Sequence, residues 1–466
     1  MAAVEGVLRY AERVLTALRL TDAMTHVSIR LPGGRTAAVT PGWEEAAAQS
    51  PATFDLDGNR VAPGAQPAPL VVLDLAVYRR RAQVGAAALL APRLTCAFGM
   101  ARRAFLPLPH AGAELAAQVA FCETDRLPLE AHQADRVIED AGEARILHLP
   151  GIGVLVMARD VDDLLMTAFN LEYSLARMNF VTAGLHVPEV RSVTPAESTA
   201  IVARRQGHHY RAFFESLVAG AGDSGAWSER GSSSDEDGIR RKMAASCRML
   251  YAQGTLVAFA EHVSHRLPAT DQWLMSRAGN FGLMRPEDMT VLDGRAAWVR
   301  GPDPPPFRFF HADIFRARPD VVAIVHTHDL YGRAFAQAQL AAAPVWRCGA
   351  TVSSEEVALF TQADLLFDPE PRRRAVEALG PRAILHEIAH GTDFVGPSLE
   401  GTTVRAIHRE ELLRMYFLSL QLGEPRRLAA GVLHDLAAIG PSDRAWWRYY
   451  AVAASRRNDP MQLVMV

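Results

Sequence analysis

What this chain has little of narrows it first. Its 466 residues include four cysteines, Cys96, Cys122, Cys247 and Cys348, scattered without a C-x-x-C pair. That pattern excludes a disulfide-stapled scaffold and suits free thiols in a reducing cytoplasm. No uninterrupted apolar run reaches the ~18 residues that a transmembrane helix needs. Excess charge of one sign is missing as well. A net charge of −3 with 22% charged residues gives no electrostatic reason to expect nucleic acid or a membrane as partner. The opening MAAVEGVLRYAERVLTALRL is not the continuous apolar stretch of a signal peptide. Glu5, Arg9, Glu12, Arg13 and Arg19 punctuate it at helical spacing, so an amphipathic helix and a cytoplasmic location are expected.

What is present is a repeat. THVSIRLP (25–32) returns as EHVSHRLP (261–268), DLDG (55–58) as VLDG (291–294), and VYRRRAQVGAAALLAP (77–92) runs parallel to IFRARPDVVAIVHTHD (314–329). RILHLPGIGVLV (145–156) lies beside AILHEIAHGTDF (383–394), and the offset stays between 236 (His26 to His262) and 238 (His148 to His386). Matches in constant order imply a duplicated domain of roughly 200 residues. The expected boundaries are 1–218 for the first copy, a Gly-, Ser- and acid-rich flexible linker over 219–238, and 239–466 for the second. Each copy reads as an opening helix (about 5–19 and 238–252), a strand at HVS, a turn-rich stretch, a helix ending in R-x-R and a buried strand. Further helix and strand follow, and a long amphipathic helix closes each copy (about 161–183 and 399–422). Such alternation is the mark of α/β layers.

The segment His386-Glu387-Ile388-Ala389-His390 fits the H-E-x-x-H pattern of zinc proteases, in which both histidines lie on one helix turn. The repeat argues against that reading. His386 aligns with His148, and the first copy continues with Pro150, Gly151 and Gly153, which no helix would carry. The segment is therefore expected as strand and turn, with its two histidines not facing one zinc. The longer protease pattern also fails, because Asp393 stands where it needs glycine.

Histidines shared by both copies, His26/His262 and His148/His386, are expected to serve the fold. Those confined to the second copy are better candidates for chemistry: His326 faces Leu89, His328 faces Ala91, His390 faces Ile152, His311 faces Asp74 and His265 faces Ile29. Sixteen histidines make about half an H-x-H expected by chance, so the His326/His328 pair alone means little. Its setting gives it weight. VVAIVHTH reads as a buried strand, which points both rings to one face. Buried imidazoles need hydrogen bonds or a metal. With His390 they make a three-histidine ligand set for a divalent metal ion (Zn, Mn or Fe), with positions left open.

FFHADIFRARPDVVAIVHTHD, followed some sixty residues later by AHGTDFVGPSLEG, resembles the class II aldolase/adducin family. HVSIRLP, DLDG, VYRRR and GVLVMARDVDD carry a weaker likeness through the first copy. The resemblance implies two tandem α/β/α sandwiches with largely antiparallel sheets and metal ligands at His326, His328 and His390. It also implies a ring with active sites at subunit boundaries, here a homodimer forming a pseudo-tetramer in which the metal-free first copy is a scaffold. The departures are informative. The glutamate that moves protons in the family's sugar-phosphate aldolases is Phe307 here. Their phosphate-binding Gly-Asn is Glu261-His262, and their paired serines are Pro305-Pro306. Proline has no N–H for a phosphate cradle. EHVSHRLP with WLMSRAGNFGLMRPEDMTVLDG looks more like the branch containing aromatic-dicarboxylate decarboxylases, where the Ser-Arg pair matched by Ser276 and Arg277 receives a carboxylate.

These residues point to a metal-dependent carbon–carbon lyase acting on a carboxylated, non-phosphorylated small molecule, with decarboxylation favoured over aldol cleavage. Candidate proton carriers are His265, His262 and Glu261, of which His265 is the copy-specific one. Candidate substrate contacts are Ser276, Arg277, His311 and Tyr331, the last two having packing roles as the alternative. Two other readings stand beside this: a non-heme iron oxygenase using the same three histidines, and a non-catalytic, adducin-like interaction protein. The aromatic, basic AWWRYYAVAASRR (445–457) is expected to dock onto a neighbouring subunit.

Overall fold

The computed structural model describes residues 2–41, 50–62, 70–107, 113–149, 151–184, 214–215, 235–255, 261–278, 281–338, 340–352, 357–361, 366, 368–387 and 390–455. Two eight-stranded sheets are built by the two copies in the same way. The first uses β1 (His26–Arg30), β2 (Thr36–Val39), β3 (Ala52–Asp55), β4 (Arg60–Ala62), β5 (Ala86–Leu90), β6 (Val119–Phe121), β7 (Ile146–Leu149) and β8 (Gly153–Ala158). The second uses β9 (His262–Arg266), β10 (Trp273–Ser276), β11 (Met289–Leu292), β12 (Trp298–Arg300), β13 (Ala323–Thr327), β14 (Val357–Phe360), β15 (Ile384–Glu387) and β16 (Thr392–Gly396). Their orders are β4-β3-β2-β1-β5-β8-β7-β6 and β12-β11-β10-β9-β13-β16-β15-β14. Among the described residues, only β6–β7 and β14–β15 run parallel. The two tandem, largely antiparallel α/β sandwiches read from the sequence are what the chain forms.

Register equates the copies residue by residue. His26 opposes Leu89 and Leu89 opposes Leu155; in the second sheet His262 opposes His326 and His326 opposes Asp393. Largely apolar runs, alanine and leucine in β5 and Ala-Ile-Val in β13, place these strands at the centre of each sheet, fully buried. The linker falls outside the described residues up to 234. The second copy's opening helix, Glu236–Gln253, begins slightly earlier than expected because the Asp235 side chain caps it through Gly238 N. Pro150, Ile388 and Ala389 also lie outside the described residues.

Two expectations need correction. The long closing helix is continuous only in the second copy, over Leu399–Leu420. In the first it is broken into Val161–Phe169, a π-helical stretch Asn170–Ala176 and Arg177–Gly184. Nor does the aromatic helix Asp443–Ser455 reach away from its own chain. It packs on helices Glu236–Gln253 and Leu399–Leu420, where Trp447 donates to Ser246 Oγ (3.1 Å) and Tyr449 donates to Thr21 O of the first copy (2.8 Å).

The copies share one core. Leu8, Leu15 and Phe98 of the first belong to the same apolar cluster as Val345, Trp346 and Leu412 of the second. Ion pairs cross this seam: Arg93 Nε to Glu411 (3.0 Å), Arg126 to Asp435 (2.6 Å) and buried Arg347 to Asp22. All four cysteines are buried free thiols. Among the described residues, no helix is long and apolar enough to cross a membrane.

Candidate metal centre

Strand β13 ends at Thr327, and alternation puts His326 and His328 on one face. The turn before β16 brings His390 to them. Ring centroids are 4.9 Å apart for His326–His328 and His326–His390, and 5.2 Å for His328–His390. Ligating nitrogens of the three lie within 4.8 Å of one another. Gly391 makes this approach possible, since a Cβ there would sit 2.5 Å from Thr327 O and 2.9 Å from His326 Nε2.

Each ring has a carboxylate at its Nδ1. His326 donates to Asp393 Oδ1 (3.0 Å), His390 donates to Glu387, and Glu261 Oε1 lies 3.6 Å from His328 Nδ1. An imidazole that gives its Nδ1–H to a carboxylate presents an Nε2 lone pair, the form that binds metal. The Nε2 of His326 is buried and has no hydrogen-bond partner, which is costly unless a ligand takes its lone pair. The donor set therefore fits a divalent cation. His326, Glu387 and Asp393 also cluster. Because His326 gives its Nδ1 to Asp393, that second trio reads as the orienting layer of the first.

His262 and His311 lie beneath. The His262 ring is 4.8 Å from His326 and 5.1 Å from His311, and burial, reinforced by the neighbouring imidazoles, drives its pKa well down. His311 bonds Ser264 Oγ (2.7 Å) and lies 4.0 Å from Asp393; burial lowers it to about 4. Phe307 covers the group, 5.1 Å from His262 and 5.8 Å from His390.

Other expected site residues sit elsewhere. His265 is on the opposite sheet face, paired across from Ala323, with Glu400 and Lys242 as its charged neighbours. Its copy specificity reflects that local contact and not the metal group. Ser276 Oγ accepts from Val263 N (3.0 Å), and Thr40 does the same for Val27 N in the first copy (3.0 Å), so this hydroxyl serves the fold. The Arg277 guanidinium is held by Asp288 (2.7 Å). The Tyr331 ring packs with Phe417 (5.5 Å) under Arg414. His386 points to the face away from His326, bonded to Thr392 Oγ1 (2.8 Å), so the two histidines of H-E-x-x-H do not share an ion. Sequence reasoning missed Asp393 and Glu387 as orienting groups. The signal was available, because the first copy has Leu155 and Leu149 at those positions.

A duplicated, largely antiparallel α/β sandwich is the class that the fold defines. The chain belongs to the class II aldolase and adducin N-terminal domain family, whose model matches residues 7–178 and again 241–417. A 5-methylthioribulose-1-phosphate/5-deoxyribulose-1-phosphate aldolase from Rhodospirillum rubrum is 30% identical over 148 residues, covering 32% of this chain and 66% of that protein, just under two thirds of its length. A 3,4-dihydroxyphthalate decarboxylase from Rhodococcus jostii is 25% identical over 202 residues, covering 41% of this chain and 83% of the relative. Decarboxylase NovR from Streptomyces niveus is 31% identical over 169 residues, covering 35% and 62%. Aldolases and decarboxylases are both lyases, and this kinship supports lyase chemistry in general.

Proposed function

We propose that the second copy, 239–466, is a metal-dependent carbon–carbon lyase for a carboxylated, non-phosphorylated small molecule, decarboxylation being favoured over aldol cleavage. The first copy, 1–218, is its metal-free scaffold, joined to it by the linker 219–238. The observation that carries this reading is Phe307. Where the resembling sugar-phosphate aldolases keep a proton-transferring glutamate, an aromatic ring lies against His262 and His390. Aldol cleavage needs a base to take a hydroxyl proton, whereas decarboxylation releases CO2 and needs only a later proton at carbon. Two of the three relatives above being named decarboxylases agrees with it.

His326, His328 and His390 would hold the cation, which supplies Lewis-acid stabilisation of negative charge on a substrate oxygen. The protein's own groups do the rest. Asp393, Glu387 and Glu261 orient the three rings. Phe307 excludes water above them. Burial keeps His262 neutral, which leaves Glu261 as the proton carrier beside His328.

Exposed apolar residues near the seam support a pairing of chains. Helix Arg93–Met100 of the first copy packs against Leu399–Leu420, while its counterpart Leu330–Gln337 leaves Leu330, Leu340 and Phe417 exposed nearby. A second chain covering them would form the homodimeric pseudo-tetramer, a repeated heterologous contact whose rotation closes into a ring. Light scattering at twice the chain mass is the expected result.

The functional test is metal analysis followed by a carboxylic-acid panel scored for CO2 release with and without oxygen. Metal-dependent, oxygen-independent CO2 release is expected. Oxygen dependence would favour the oxygenase reading, and a chain that binds no metal and turns over nothing would favour the interaction protein.

A further inference from the structure

The sheet that carries the three histidines is polar on its other face too, and four of the polar residues there have apolar counterparts in the first copy. Thr327 opposes Thr392, and Thr392 opposes His386, so these side chains share the face turned away from His326 and Asp393. Helix Leu399–Leu420 covers them. Thr327 Oγ1 donates to Asp329 Oδ1 (2.9 Å), and the Thr392 hydroxyl bonds the same carboxylate. A carboxylate only accepts, so Thr392 gives its proton to Asp329 and its oxygen takes the Nδ1–H of His386. Arg409 provides the compensating positive charge beside Asp329. Thr327, Asp329, Thr392 and Arg409 are each at most 3% exposed.

The first copy separates what the fold needs from what accompanies the metal ligands. At the matching positions it has Leu90, Pro92, Val154 and Leu171, all apolar. Gly332, which leaves room for Asp329 (a Cβ there would fall 1.6 Å from Oδ2), is matched by Thr95. Two neighbours survive in both copies with fold roles. Glu410 accepts from Tyr331 N and Gly332 N (3.2 Å each) as Glu172 accepts from Leu94 N and Thr95 N (2.9 Å each). His148, matching His386, bonds Thr95 O (2.5 Å). The same sandwich therefore folds without the four polar residues, whose burial costs desolvation. They vanish together with the three histidines and with Asp393 and Glu387.

We propose that Thr327, Asp329, Thr392 and Arg409 form a positioning network for the metal centre, acting from behind the sheet; this rests on reading His326, His328 and His390 as that centre. Thr327 and Asp329 flank His328 in the chain, so their shared hydrogen bond pins the peptide that carries it. Thr392 follows His390 by two residues and bonds the same carboxylate. One buried anion thus ties together the two chain segments that supply all three ligands. Arg409 balances that anion, and none of the four touches substrate or cation.

The test is cobalt(II) binding to the full chain, by chelator competition and by the visible absorption bands of the bound ion. The variants are Thr392→Val, which removes one hydroxyl at constant volume, Thr392→Ser, which restores it, and the pair Asp329→Ala/Arg409→Leu, which removes both charges. The melting temperature of metal-free protein serves as the fold control. Thr392→Val and the charge-deleted pair should bind cobalt about 10-fold or more weakly with shifted bands, as expected when an outer partner of a metal ligand is lost, while Thr392→Ser should match the unaltered chain. If the unaltered chain binds cobalt and every variant binds it with the same affinity and spectrum, this inference fails and the centre stands. If the unaltered chain binds no cobalt, both fail.

Discussion

Replacing Asp393 with leucine removes the acceptor that fixes His326 without altering a ligand. Leucine is what the first copy carries at this position, where Leu155 is fully buried and well packed, so its bulk suits the site. The loss is electronic and orientational. The Nδ1–H of His326, 3.0 Å from Asp393 Oδ1 and 2% exposed as a residue, would face apolar side chains. A buried donor left without an acceptor costs about 1–3 kcal/mol. The ring then escapes that cost by turning or changing tautomer, and both moves withdraw Nε2 from the cation. At about 1.4 kcal/mol per tenfold, zinc affinity should fall by about 10- to 100-fold, the range typical of lost outer partners. Asp393→Asn keeps an oxygen acceptor and should stay within about threefold. Competition against a chromophoric zinc chelator measures both. A leucine variant with undiminished affinity would refute the orienting role.

Gly391→Ala should weaken metal binding and lower stability by about 1–3 kcal/mol, because its methyl would press on His326 Nε2 and Thr327 O; isothermal titration and urea melts check it, and unchanged values would contradict the close approach. Acid should unfold the metal-free protein early: burial depresses His148 and His311 to about 4 and His386 and His408 to about 3, so the unfolded chain binds more protons. Stability is then complete above about pH 6.5 and falls by about 1.4 kcal/mol per pH unit for each histidine as pH drops towards 4, and a flat near-UV signal across that window would refute it. Arg347→Ala removes a buried guanidinium from partly buried Asp22 at the seam and should cost at most about 3–5 kcal/mol in a single urea transition spanning both copies, whereas separate transitions would deny the shared core.

The duplication, both sheets and the grouping of His326, His328 and His390 were legible because each leaves a periodic or copy-to-copy signal. His326 and His328 alternate on an apolar strand, and Leu89 and Ala91 mark their loss. The orienting carboxylates were hidden by a competing pattern. Glu387 and Asp393 stand three residues either side of His390; Glu387 drew notice only as part of the rejected H-E-x-x-H pattern and Asp393 only as the residue that breaks its longer form. His265 misled because a copy-specific change can record any local contact, here Glu400 and Lys242. Ser276 is matched by Thr40 in the first copy, and a hydroxyl in both copies bonding the same backbone position is a fold device. Broken helix geometry at Asn170–Ala176 has no sequence signature, since π and α turns bury similar faces. The aromatic terminal helix showed an apolar face but not which surface of its own chain would cover it.

Metal stoichiometry tests the central claim most directly. Purified chain and the His326→Ala/His328→Ala/His390→Ala variant, each saturated with zinc and dialysed, are compared by elemental analysis. One equivalent per chain in the first and none in the second is the predicted result. Metal retained by the triple variant, or a second equivalent that survives in it at the first copy, would contradict the account.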